Sequence, residues 1–211
     1  MQDRRPASID PALSRALAAL RAGAAVVYPT ETFYALGVDA LSPAALQRLF
    51  AIKEREPGKP VALIAADAEM AFGVAREVPP QARILADAFW PGPLTLVLPA
   101  REGIDAALVN PEGGVGVRVS PHPIARALAA GLGRPLTATS ANLAGAPPAV
   151  ELDEARCALG AKVKIYLDGG RLPGGAPSSV VVADAVGIRV FRPGAITEEQ
   201  ITAALGRGSR K

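Results

Sequence analysis

Two short elements of the chain combine residue types suited to gripping phosphate. Lys53-Glu54-Arg55 sets two cations two positions apart at the end of a helical run, just before Glu56-Pro57-Gly58-Lys59-Pro60. Ser140-Ala141-Asn142 sets two small polar side chains at the same spacing, after the apolar stretch Pro135–Thr139 and before Leu143-Ala144-Gly145. Lysine supplies a point charge and arginine a planar fork, a combination suited to a polyphosphate. The helix breakers Pro57 and Gly58 let the chain straighten, so that both cations can share a side. Ser140, Asn142 and nearby backbone N–H groups can receive phosphate oxygens. Each element also has an ordinary reading. Cations suit a helix C-terminus, and Ser and Asn serve turns and caps.

Further polar groups fall where strands end. Tyr28-Pro29-Thr30-Glu31-Thr32 follows an apolar strand, and loops at strand ends are common ligand sites. Gly114–Arg118 ends on an arginine able to pair with a carboxylate, and Pro177-Ser178-Ser179 puts hydroxyls at a strand entrance. Arg189 and Arg192 flank the end of the next strand, followed by Pro193-Gly194. A turn without ligand, or a surface arginine, accounts for any one of these taken alone. The single histidine, His122, lies between two prolines and reads as structural; Cys157 reads as a core residue of an apolar helical stretch.

The elements that must position these groups alternate in type. Asp10-Pro11 and Ser42-Pro43 are cap-and-proline starts, opening helices that end near Gly23 and Lys53. Further helices are expected over 80–89, 123–130 and 197–205. Strands are expected over 24–28, 61–64, 94–98, 115–119, 135–139, 164–168, 179–182 and 188–191. Alternation early and crowded strands late predict one α/β domain over residues 10–200, with a twisted, open mixed sheet and flanking helices. Residues 1–9 and 206–211 are expected to be flexible ends.

Composition narrows the chemistry. Of 211 residues, half are apolar and a fifth charged, enough for a substantial core. The net charge is +3 and the pI near 9.3, compatible with anionic ligands or RNA. One histidine excludes a multi-His metal site, and one cysteine excludes an intramolecular disulfide. No GxSxG or GxxxxGK[ST] pattern supports serine-hydrolase or P-loop chemistry. No apolar run approaches ~20 residues, so the expectation is a cytoplasmic protein without membrane association.

Seven segments, in order, resemble the YrdC-like family of threonylcarbamoyl-AMP synthases: VVYPTETFYALG (26–37), IKEREPGKPV (52–61), FWPGPLTLVLP (89–99), VGVRVSPHP (115–123), TATSANLAGAPP (137–148), PSSVVV (177–182) and VFRPG (190–194). The resemblance covers about residues 10–200 and is carried by these elements jointly. It implies an enzyme that condenses L-threonine, bicarbonate or CO2, and ATP into threonylcarbamoyl-AMP and pyrophosphate. The product would serve the threonylcarbamoyladenosine modification of tRNAs that read ANN codons, through a separate transferase complex. The implied fold holds a large basic cavity. The resemblance assigns ATP to Lys53, Arg55, Lys59, Ser140, Asn142 and Arg192, with Lys53 and Arg55 catalytic. It assigns L-threonine to Thr32, Arg118 and Ser178, and Mg²⁺ would arrive with ATP rather than on a protein metal site. Lys53→Ala is expected to remove most activity and leave the fold intact. Departures from the family pattern are Ala35 for glycine, Ala144 for serine, Ser179 for threonine, and Ile64 where longer members often have histidine. Those longer members carry a second, C-terminal domain with no counterpart in this sequence. Two alternatives stand beside it: a paralogue acting on another acceptor, and a non-catalytic protein that binds tRNA or another RNA.

Overall fold

Proline and small polar residues start the helices where the sequence announces them. A computed structural model describes residues 10–54, 60–143 and 145–208. Helix α1 (Pro11–Arg21) is capped by the Asp10 carboxylate, which accepts from Ala12 N, and Gly23 turns the chain out at φ +72°. Helix α2 (Pro43–Lys53) is capped by Ser42 and ends on Glu54 in the left-handed region, at φ 48°. Between them lie strands β1 (Val26–Pro29) and β2 (Tyr34–Gly37). Strand β3 (Leu63–Ala65) and helices α3 (Ala68–Phe72) and α4 (Pro80–Phe89) follow. Next come β4 (Leu94–Pro99), β5 (Gly114–Val119) and α5 (Pro123–Leu132). The chain continues through β6 (Leu136–Thr137), β7 (Thr139–Ser140), α6 (Leu152–Leu159) and β8 (Ile165–Tyr166). It closes with β9 (Ser179–Asp184), β10 (Gly187–Arg192) and α7 (Glu198–Gly208).

The strands form two mixed sheets rather than the single open sheet expected. One has the order β7-β2-β1-β8, the other β10-β9-β4-β5-β3-β6. The stretch 135–139, expected as one strand, explains the difference. It gives β6 to the six-stranded sheet, antiparallel to β3, and β7 to the other, antiparallel to β2. Ala138 falls between them, its N–H donating to Ala62 O. Hydrogen bonds stitch the sheets together there, Thr137 N donating to Val38 O at 3.0 Å. The buried Tyr28 hydroxyl donates to Thr137 O at 2.9 Å, and Val38 N donates to Thr137 Oγ1 at 3.0 Å.

Two apolar cores result. The larger joins β2, α2 and α4 to the six-stranded sheet through Leu36, Leu49, Leu85, Leu96 and Val117. The smaller holds α1 and α5 against β1, β3 and β6 through Leu17, Leu20, Tyr28 and Leu128. Strand β2 and helix α3 are elements beyond those expected, and the helical stretch around Cys157 is α6. Leu172 and Ala149 belong to the larger core, so the loops that carry them are anchored. Residues 206–208, expected to be loose, continue α7; residues 1–9 and 209–211 lie outside the described residues. Cys157 corrects its expectation too. It is exposed on α6, whose buried residues are Ala155 and Leu159.

Candidate active site

Alternation along neighbouring strands builds the floor of a cavity of about 830 Å³. Thr95 and Val97 of β4, Gly114, Gly116 and Arg118 of β5, and Val180 and Val182 of β9 recur at a spacing of two and line it. These strands are neighbours in the six-stranded sheet. The walls come from the turn after β1, with Thr30 and Thr32, from Thr139 and Ser140 of β7, and from Ser178 and Arg192. The described lining contributes two cations, Arg118 and Arg192, and one carboxylate, Glu112; hydroxyl and apolar groups supply most of the rest.

Arg118 is the best-fixed cation. It is buried at the end of β5, and its Nε donates to Glu31 Oε1 at 3.0 Å. Ser120 Oγ donates to the other carboxylate oxygen of Glu31 at 2.6 Å. Across the cavity, Arg192 donates from Nη2 to Ser178 O at 2.8 Å and reaches Ser178 Oγ at 3.4 Å. A register shift between Val190 and Arg192 leaves Phe191 without a paired partner on β9, exposed at the cavity edge. The Ser178 hydroxyl also bonds Thr95 Oγ1 at 2.9 Å inside the protein. Burial, then the positive charge of Arg118, holds Arg192 below its ordinary pKa. A cavity lined by both guanidiniums suits an anion.

Lys53 meets the two residues grouped with it in the sequence. Its buried ammonium donates to Ser140 O at 2.8 Å, Asn142 O at 2.5 Å and Asn142 Oδ1 at 2.9 Å. Ser140 Oγ donates to Asn142 Oδ1 at 2.6 Å, and Asn142 Nδ2 donates to Ala146 O at 2.5 Å. The lysine–serine–asparagine set therefore meets in one hydrogen-bonded network. The left-handed Glu54, paired with Lys162 Nζ at 2.7 Å, turns the chain just past Lys53. Arg55 and Lys59 lie outside the described residues, as does Ala144. Of the other departures, Ala35 sits in regular β2 pairing without positive φ, and Ile64 is buried in the smaller core.

Two supporting residues have no place in the sequence reading: Ser120, which bonds the Glu31 carboxylate that holds Arg118, and Thr95, which bonds Ser178. Thr95 had a signal, a hydroxyl among the apolar residues of β4. The pairing of Glu31 with Arg118 had none, because 87 residues separate them. His122 has a structural use, its Nδ1 accepting from Ile124 N at the start of α5. Among the described residues, no group of three or more His, Cys, Asp and Glu could hold a metal ion. No helix among them is long and apolar enough to cross a membrane.

Residues 18–194 match the Sua5/YciO/YrdC family model, whose description reads "Telomere recombination". The chain belongs to this family. A protein from Mycobacterium tuberculosis called a putative threonylcarbamoyl-AMP synthase is 37% identical over 191 residues, 90% of this chain and 88% of that protein. A threonylcarbamoyl-AMP synthase from Vibrio cholerae is 38% identical over 184 residues, 86% of this chain and 97% of that protein. Among solved structures, Sua5 of Pyrococcus abyssi complexed with L-threonine superposes with a TM-score of 0.86 at 35% identity. That match covers 92% of this chain and 57% of the longer Pyrococcus chain. The shared architecture extends the Sua5/YciO/YrdC assignment from the motifs to the whole two-sheet fold.

Proposed function

We propose that this chain is a threonylcarbamoyl-AMP synthase, joining L-threonine, bicarbonate or CO2, and ATP to give threonylcarbamoyl-AMP and pyrophosphate. The observation that carries the reading is one cavity that holds an anchored arginine fork, a second arginine with a hydroxyl pair, and the Ser140 turn. Relatives bearing the synthase name along most of this chain, and the threonine complex of the Pyrococcus protein, support it.

In this reading the terminal edge of Arg118 pairs with the threonine carboxylate, and the Thr32 and Ser178 hydroxyls bond its remaining polar groups. ATP enters with Mg²⁺ on its phosphates as part of the substrate, the phosphates lying against Ser140 and its turn. Arg192, with Arg55 and Lys59, neutralises phosphate charge. Lys53 acts by fixing the turn that Ser140 and Asn142 form. The threonine nitrogen adds to CO2 and gives up a proton, forming a carbamate. A carbamate oxygen then bonds the α-phosphorus while the bond to the β-phosphate oxygen breaks and pyrophosphate leaves. No protein nucleophile enters either step. The chain contributes proximity and charge neutralisation, and the walls of the cavity shield a carbamate that water would decompose. The product would pass in the cytoplasm to a transferase that modifies tRNA.

Incubation with ATP, Mg²⁺, L-threonine and ¹³C-bicarbonate tests this. The reading expects a threonylcarbamoyl-AMP mass raised by the label. ATP bound without that product would leave a nucleotide-binding paralogue with a different acceptor.

A further inference from the structure

We propose that Glu31 is the positioning residue that aims Arg118 at the substrate carboxylate, an inference that rests on the reading of Arg118 as the carboxylate fork. Glu31 is absent from the cavity lining, whereas Arg118 is part of it. The side chains of the pair are only 11% and 10% exposed. An ion pair taken that far out of water adds little net stability, so its geometry calls for another account.

That geometry is specific. Glu31 engages Nε, on the side edge of the guanidinium, and leaves the Nη1–Nη2 end edge, which matches a carboxylate with two parallel bonds. Glu31 is itself held at both oxygens, the second by Ser120 Oγ, which also accepts from His122 N at 3.2 Å. The turn that carries Glu31 is closed by Thr30, whose N–H and hydroxyl both donate to Phe33 O, at 3.2 and 2.7 Å. A guanidinium without this counter-charge would face Arg192 unbalanced and turn away from it. Glu31 thus sets both the direction of the fork and the charge balance that lets two arginines share one cavity.

The experiment measures threonine and ATP affinities by calorimetry, with KM and kcat, for Glu31→Ala, Glu31→Gln and Arg118→Ala. Glu31→Ala is expected to weaken threonine about ten- to a hundredfold while ATP affinity stays within about twofold of wild type. Glu31→Gln, whose amide oxygen still accepts from Nε, is expected to recover part of that loss, with the change in KM for threonine rather than for ATP. Wild-type threonine affinity in Glu31→Ala, beside a loss in Arg118→Ala, would overturn the role of Glu31 alone. Unchanged threonine affinity in Arg118→Ala would remove the fork reading and this inference with it. Equal loss of both ligands would make Glu31 structural and overturn the proposal. Should Glu31→Ala not fold, Glu31→Gln decides, and wild-type threonine affinity there would sink the idea.

Discussion

At the scale of single residues, Lys53 ties the end of α2 to the Ser140–Asn142 turn. Its ammonium satisfies three oxygens of that turn. Lys53→Ala would leave those oxygens without that donor, at a stability cost on the order of 3 kcal/mol. The same change would loosen that turn and is expected to lower threonine-dependent turnover on the order of a hundredfold. Urea unfolding beside pyrophosphate release measures both, and a variant with normal stability and turnover would remove Lys53 from the account. The residues of this network were legible in the sequence; the direction of Lys53 was not. That direction depends on where α2 stops and on the left-handed Glu54, a conformation rare enough outside glycine that no local pattern announces it. Arg118 was legible as an arginine closing an apolar strand, but its carboxylate partner lies in another turn, joined to it only by the fold.

At the scale of elements, the turn after β10 and the cap of α5 carry separate consequences. Gly194 lies against the strand entrance of β9, where an added Cβ would meet Pro177 O and, at 2.6 Å, Ser179 N. These are backbone atoms, so Gly194→Ala must push the 177–179 segment aside and carry Ser178 from Arg192 and Thr95. The expected result is a loss of about 1–3 kcal/mol in stability together with a raised KM for threonine. Wild-type values for both in the purified variant would contradict that close approach. His122 caps α5 through an unprotonated Nδ1, and burial holds its pKa below the usual value, with Glu31 opposing more weakly. The native pKa is the lower one. Its contribution is therefore complete above the unfolded value of about 6.5 and is lost as pH falls through the native value. Thermal melts at pH 7.5 and 5.5 are expected to show a drop that His122→Asn, still able to cap, makes smaller. Cap-and-proline signals made helices α1 and α2 legible from sequence, whereas the start of α6 rests on a Glu151–Glu154 capping box.

At the scale of the whole molecule, the division into two sheets escaped the sequence because periodicity reports which residues are apolar, not which neighbour a strand joins. The short run Leu136–Ser140 serves both sheets, and Tyr28 bonds across the place where they meet. Burial pushes the phenols of Tyr28, Tyr34 and Tyr166 above their usual value, most strongly for Tyr28. The unfolded chain loses these protons near pH 10 while the native state keeps them, so stability is full below that pH and falls as pH rises beyond it. Denaturant midpoints at pH 9 and 11 should record the fall, and Tyr28→Phe should reduce its slope while costing about 1 kcal/mol at neutral pH for the lost bond to Thr137. An equal slope in that variant would place the alkaline sensitivity elsewhere. The molecule as a whole gathers Arg118, Arg192, Ser178 and the Ser140 turn around one cavity, and the synthase reading stands on that convergence. Pyrophosphate release from ATP and Mg²⁺ by the purified chain, with threonine and bicarbonate omitted in turn, tests it most directly. The account predicts release only when both are present, whereas release indifferent to threonine, or none despite bound ATP, would contradict it.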